Sequence, residues 1–78
     1  MKDKVTMNDV KEYVELMLTY AKRATSADSV MNFRAQAYSV IMFTQNYLPY
    51  DELASYWEGG ESGGMWARFN DIAREKNR

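Results

Sequence analysis

The 78-residue sequence contains no cysteine, no histidine and a single proline. Without cysteine there is no disulfide, no thiolate nucleophile and no thiolate metal ligand. Without histidine the commonest nitrogen ligand and the usual general base are missing as well. A zinc centre of the usual ligand set and a Ser-His-Asp or Cys-His arrangement are therefore excluded. An excess of one charge is lacking too: ten Lys and Arg stand against eleven Asp and Glu, a net charge of −1, so no global field draws the chain to nucleic acid or to an anionic membrane. No run approaches the roughly 20 apolar residues of a membrane span. Met1-Lys2-Asp3-Lys4 lead into a polar amphipathic stretch instead of a signal-peptide h-region, which leaves the cytoplasm as the expected location.

What is present is apolar: 46% hydrophobic residues and 14% aromatics, enough for a core and too much for intrinsic disorder. The length suits one domain over residues 1–78, with 1–5 and 77–78 as frayed tails. A chain this short buries only about 60–65% of its unfolded surface. With disulfides and the usual metal ligands gone, oligomerisation is the remaining stabiliser of a small fold.

Helical periodicity runs through the chain, and the expected architecture is an all-α bundle. Residues 8–24 form the first helix, capped by Thr6 or Asn8, with Asp9, Glu12 and Glu15 early and Lys22 and Arg23 late, as the helix dipole prefers. Val10, Tyr13, Val14, Leu16, Met17, Tyr20, Ala21 and Ala24 share one side, with Leu18 at its edge; Lys11, Glu12, Glu15, Thr19, Lys22 and Arg23 share the other. A short connection, with Ser26, Asp28 or Ser29 as the next cap, implies an antiparallel hairpin. The second helix, about 29–48, confines Asn32, Gln36, Ser39 and Asn46 to a narrow polar strip interrupted by Phe43, while Val30, Met31, Phe33, Ala35, Ala37, Tyr38, Val40, Ile41, Met42, Tyr47 and Leu48 spread over about 240° of the wheel. Such a helix should be central and covered on opposite sides by the first and last. Pro49 closes it. A short helix follows at 50–57, with Tyr50, Leu53, Ala54 and Trp57 on one side, then a flexible glycine-rich loop at 58–64. The last helix, 65–76, places Met65, Trp66, Phe69, Ile72 and Ala73 inward and Asn70, Asp71, Arg74 and Glu75 outward.

Several segments resemble chemical motifs without meeting their requirements. Gly60-Glu61-Ser62-Gly63-Gly64 matches the G-x-S-x-G spacing, but the motif needs a preceding strand and a histidine to take the serine proton. The loop suits a hinge better, with Ser62 or Gly64 capping the last helix. An anion site over Gly59–Gly64 is the alternative, though the loop lacks the Lys-Ser/Thr ending of a P-loop and carries Glu58 and Glu61. Asp51-Glu52 and Glu58 with Glu61 lack the spacing of a calcium loop. No catalytic, cofactor-binding or metal residues are assigned, and a non-enzymatic role is expected.

The candidate partner-binding residues are Arg34, Phe43, Tyr47, Tyr50 and Trp57. Arg34 falls inside the apolar arc of the second helix, where a guanidinium needs a partner: an internal carboxylate such as Glu52 or Asp71, a route to the surface, or an acidic group on another protein. Phe43 interrupts the polar strip. Tyr47, Tyr50, Tyr56, Trp57 and Trp66 cluster around the third helix as core or interface, and six methionines add adaptable contact surface. Residues 49–64 carry Asp51, Glu52, Glu58 and Glu61 with no cation, whereas Arg68, Arg74, Lys76 and Arg78 crowd the C-terminal end against Asp71 and Glu75. Those four cations are the candidate anion or nucleic-acid contacts. The expected role is thus a protein–protein interaction module or homo-oligomer of accessory type, with a minor nucleic-acid-associated regulator as the alternative.

Overall fold

Local capping explains where the helices begin. In the computed structural model, which describes residues 5–59 and 63–77, the Asp9 backbone N–H donates to Thr6 Oγ1 at 3.2 Å and the Asp9 carboxylate accepts from the Thr6 N–H at 2.9 Å. This capping box starts α1 (Met7–Arg23) and satisfies donors that a helix end leaves orphaned. Ser26 caps α2 (Ala27–Thr44) in the same manner, its Oγ accepting from the Ser29 N–H at 3.2 Å. Pro49 stands immediately before α3 (Tyr50–Glu58), where a missing N–H has no consequence. Gly64 is the N-cap of α4 (Met65–Lys76). Among the described residues there is no strand, and the fold is a small all-α bundle with one short helix.

α2 ends four residues before the expected boundary. The Thr44 hydroxyl turns back to donate to Val40 O at 2.7 Å, and Thr44 O itself accepts from both Tyr47 N (3.1 Å) and Leu48 N (2.9 Å). Residues 45–48 therefore curl into a turn that lays Leu48 against the core instead of extending the helix to Pro49.

The core takes Val10, Val14, Met17, Leu18 and Ala21 from α1, Val30, Ala37 and Ile41 from α2, Leu53 and Trp57 from α3, and Met65 and Phe69 from α4. Each large side chain removed from water contributes about 1.5–3 kcal/mol. On α1, Leu18, expected at the edge of the apolar side, is buried, whereas Leu16 and Tyr20, expected within that side, are exposed. The connection at residues 24–26 turns the chain back so that Tyr20 meets Phe33 with ring centroids 5.7 Å apart.

The arrangement of α1 and α4 departs from expectation in a way that matters for function. The two helices do not cover opposite sides of α2. They touch each other as well as α2, and Lys76 Nζ of α4 donates to Lys22 O of α1 at 2.9 Å. All three main helices thus meet around one shared core. The residues α2 buries, Val30, Ala37, Ile41 and Thr44, form a single narrow stripe, because α1 and α4 fill the same side. The molecule is correspondingly thin, with principal dimensions of 41 × 32 × 15 Å, and among the described residues none packs upon the opposite side of α2.

Candidate functional site

The uncovered side of α2 begins with residue types. Between Ser29 and Tyr50 the only charged residue is Arg34. A helix face that ends in water ordinarily carries charge, as Lys11, Glu12, Glu15, Lys22 and Arg23 do on α1, all of them exposed. Past Asp28 in its first turn, the outward face of α2 instead presents Asn32, Ala35, Gln36, Tyr38, Ser39, Met42 and Phe43, all exposed. Phe43 is 69% accessible and Tyr38 46%. Tyr47 stacks edge-on against Phe43 at 5.7 Å between centroids, extending the band beyond the helix end. Tyr50 at the start of α3 and Trp66 at the start of α4 (48% accessible) extend it sideways. At about 150–250 Å² for such a side chain, the exposed parts of Tyr38, Met42, Phe43, Tyr47, Tyr50 and Trp66 come to roughly 600 Å².

Beside Tyr38 the band sinks into a groove of about 570 Å³ lined by Arg34, Ala35, Tyr38, Trp57, Glu58 and Trp66. An aromatic series connects this groove to the interior. Tyr38 lies 5.5 Å from the Trp57 ring, and Trp57 lies 6.0 Å from the fully buried Phe69. The groove wall is therefore anchored on the core and held in shape.

The five candidate partner-binding residues separate on burial. Phe43, Tyr47 and Tyr50 are exposed. Trp57 is not a free anchor: it is 5% accessible and belongs to the core, because α3 turns its Leu53–Trp57 side inward, so only an edge of the indole reaches the groove. Arg34 is half-buried. Its partner is neither Glu52 nor Asp71, since Nη1 donates to the neutral Oδ1 of Asn70 at 2.7 Å. Asn70 is accordingly turned toward α2 and half-buried rather than outward. Among the described residues the Arg34 charge has no carboxylate partner. Glu58, on the same groove, has no cation partner either.

The cationic set does not form a patch. Arg74 pairs with Asp71 on its own helix at 3.0 Å, and Lys76 is bound to Lys22 O. Arg68 is exposed on another side of α4, and Arg78 lies outside the described residues. Spaced six and eight residues from Arg68, Arg74 and Lys76 point in three directions around the helix, so no basic stripe results.

The acidity of Tyr56 is displaced, pushed up to about 12. Burial is the main cause, the Glu15 carboxylate adds to it, and Arg68 opposes it. Its hydroxyl donates to Lys11 O at 3.4 Å, and Lys11 Nζ stands 5.7 Å from the ring centroid. These contacts tie α3 to α1.

At the glycine-rich loop the described parts are tightly closed instead of loose. Gly59 and Gly63 have φ of +67° and +74°. A Cβ on Gly59 would collide with the Gly63 backbone, and one on Gly64 would stand 2.6 Å from Gly59 N and Trp57 O. Gly60, Glu61 and Ser62, and with them the serine motif and most of the candidate anion loop, lie outside the described residues. Among the described residues no three Asp or Glu side chains gather as a metal site, and no helix is long and apolar enough to cross a membrane.

Sequence reasoning assigned Trp66 to the core and counted Tyr38, Met42 and Ala35 in the buried arc. The signal that would have placed them outside is the missing charge between Ser29 and Tyr50, combined with an apolar arc wider than so small a fold can cover.

The chain matches no protein-family model, no curated protein and no solved structure.

Proposed function

We propose that this chain is a non-enzymatic interaction module that docks a protein across the outer face of α2 and the adjoining Tyr38–Trp66 groove. One observation carries the reading: past Asp28 in the first turn of α2, a solvent-facing helix side that is aromatic, thioether and amide in composition and holds no charge. Interface centres are depleted of charge and enriched in Tyr, Trp, Phe, Met and Arg, whereas isolated surface apolar residues need no explanation. Roughly 600 Å² lies at the upper end of the largest apolar patch on an ordinary monomer, and such patches mark interaction sites. The nucleic-acid alternative has less support, since two of its four cations are engaged within the fold.

The test is photo-crosslinking in cells from an unnatural residue at position 43, with position 12 on the charged side of α1 as control. A discrete adduct is expected from position 43 and none from position 12. Phe43→Ser is expected to alter stability by no more than about 0.5 kcal/mol at high dilution, as surface substitutions do, and Tyr38→Ser, which also gives up the ring contact with Trp57, by about 1–2 kcal/mol. A loss of several kcal/mol would place the band in the structural core and end the reading.

A further inference from the structure

Resting on the interaction reading, we propose that the protein seated on this face is a second copy of the chain, in a two-fold dimer with the α2 helices packed antiparallel. Three properties of the face point to self-association.

The first is its area. Roughly 600 Å² of aromatic and thioether surface, before the amide and small residues of the rim are added, approaches the about 800 Å² per partner of a stable interface. The second is the pattern along α2. Asn32, Ala35, Ser39 and Met42 follow one another at spacings of three, four and three and are all exposed, the spacing of a helix–helix seam, with the polar Asn32 and Ser39 at two of its four positions. The small Ala35 and Ser39 lie mid-seam, where two backbones must approach. An antiparallel pairing centred near Tyr38 and Ser39 sets Ala35 of each copy against Met42 of the other, large into small. The seam is flanked by Tyr38 on one side and Phe43 on the other.

The third property is charge. An isologous contact requires a patch that is complementary to itself. The groove carries one cation, Arg34, and one anion, Glu58, and among the described residues neither is ion-paired within the chain. The same two-fold axis near Tyr38 and Ser39 sets the two grooves on one side of the dimer, with Arg34 of each copy turned toward Glu58 of the other, so that both pairs are neutralised at once. A partner of a single sign would leave one of the two opposed. The same association supplies the stabiliser that a small fold without disulfide or metal otherwise lacks.

Light scattering on the full chain over a wide concentration range tests this. The mass is expected to approach twice that of the chain, with dissociation in the micromolar range given the modest area. Tyr38→Glu should leave monomer only. Glu58→Arg should weaken the dimer by about tenfold or more through like-charge contact. Adding Arg34→Glu to it should recover most of that loss, with far-UV circular dichroism confirming the fold of each variant. If the double variant does not fold, Glu58→Arg and Tyr38→Glu decide alone. A wild-type chain that stays monomeric throughout, or a dimer indifferent to Tyr38→Glu and Glu58→Arg, overturns the proposal. A monomer that still gives a position-43 adduct of another mass rejects the second copy but leaves the interaction reading standing; strong destabilisation by Tyr38→Ser and Phe43→Ser rejects both.

Discussion

Arg34 and Tyr56 are both polar groups held between helices, and their different surroundings give them different roles. Tyr56 has its hydroxyl on a backbone carbonyl of α1 and its ring beside Lys11, so the neutral phenol is the form that fits. Its acidity lies above the ordinary value of 10, at about 12. The folded state therefore holds the proton more tightly than the unfolded state does. The Tyr56 contribution to stability is complete below pH 10 and declines as pH rises from 10 through about 12. In alkaline melting experiments the wild-type protein is thus expected to lose stability more steeply than Tyr56→Phe in that window, with parallel curves below it; parallel curves throughout would contradict the assignment. Arg34 has only a neutral amide within the fold, which holds the guanidinium in position without neutralising it. A charge so placed stays available to an acidic group from outside. Its position in the apolar arc was legible from sequence, but its partner was not. Asn70 is 36 residues away, and only the packing of α4 on α2 brings the two together.

At the scale of elements, most boundaries followed from local chemistry. The Thr6 capping box, the Ser26 cap and the Pro49 stop are written in neighbouring residues, and α3 and α4 fall within a residue of the helical period that announced them. The end of α2 did not follow, because Pro49 marks only the latest point at which a helix can stop, and the Thr44 turn intervened. The α3–α4 connection shows a similar limit. Its glycines suggested looseness, whereas Gly59 and Gly64 lie backbone against backbone, with Gly59 in the left-handed region. Gly59→Ala is accordingly expected to destabilise the protein by about 2 kcal/mol, from an unfavourable φ and a steric collision together. Urea denaturation would measure it, and a change below half a kcal/mol would mean that this junction is not closed in solution.

For the whole molecule, the decisive property is that α1 and α4 share one side of α2. A slab with principal dimensions of 41 × 32 × 15 Å has a high ratio of surface to interior, and among the described residues its core is built from twelve buried hydrophobic side chains. A two-fold dimer through the free face of α2 would convert that slab into a thicker body with α2 at its centre. The thermal midpoint should then rise with chain concentration, as mass action requires when only the folded form associates. A midpoint unchanged over a hundredfold concentration range would exclude stabilisation by association. Tyr38→Glu should remove the dependence and, through the lost contact with Trp57, lower the dilute-limit midpoint by several degrees.

The unusually apolar second helix was visible in the residues themselves, as were the all-α class, the helix starts and the charged outer side of α1. These depend on periodicity and on contacts within a few positions along the chain, which a sequence states directly. The choice of which side of α2 is covered was made only by tertiary packing. An apolar arc of about 240° records that a helix avoids water over most of its circumference, and it is silent on whether its neighbours belong to the same chain. α1 and α4 pack against each other as well as against α2, so both occupy one flank, and Tyr38, Met42 and Phe43 remain at the surface.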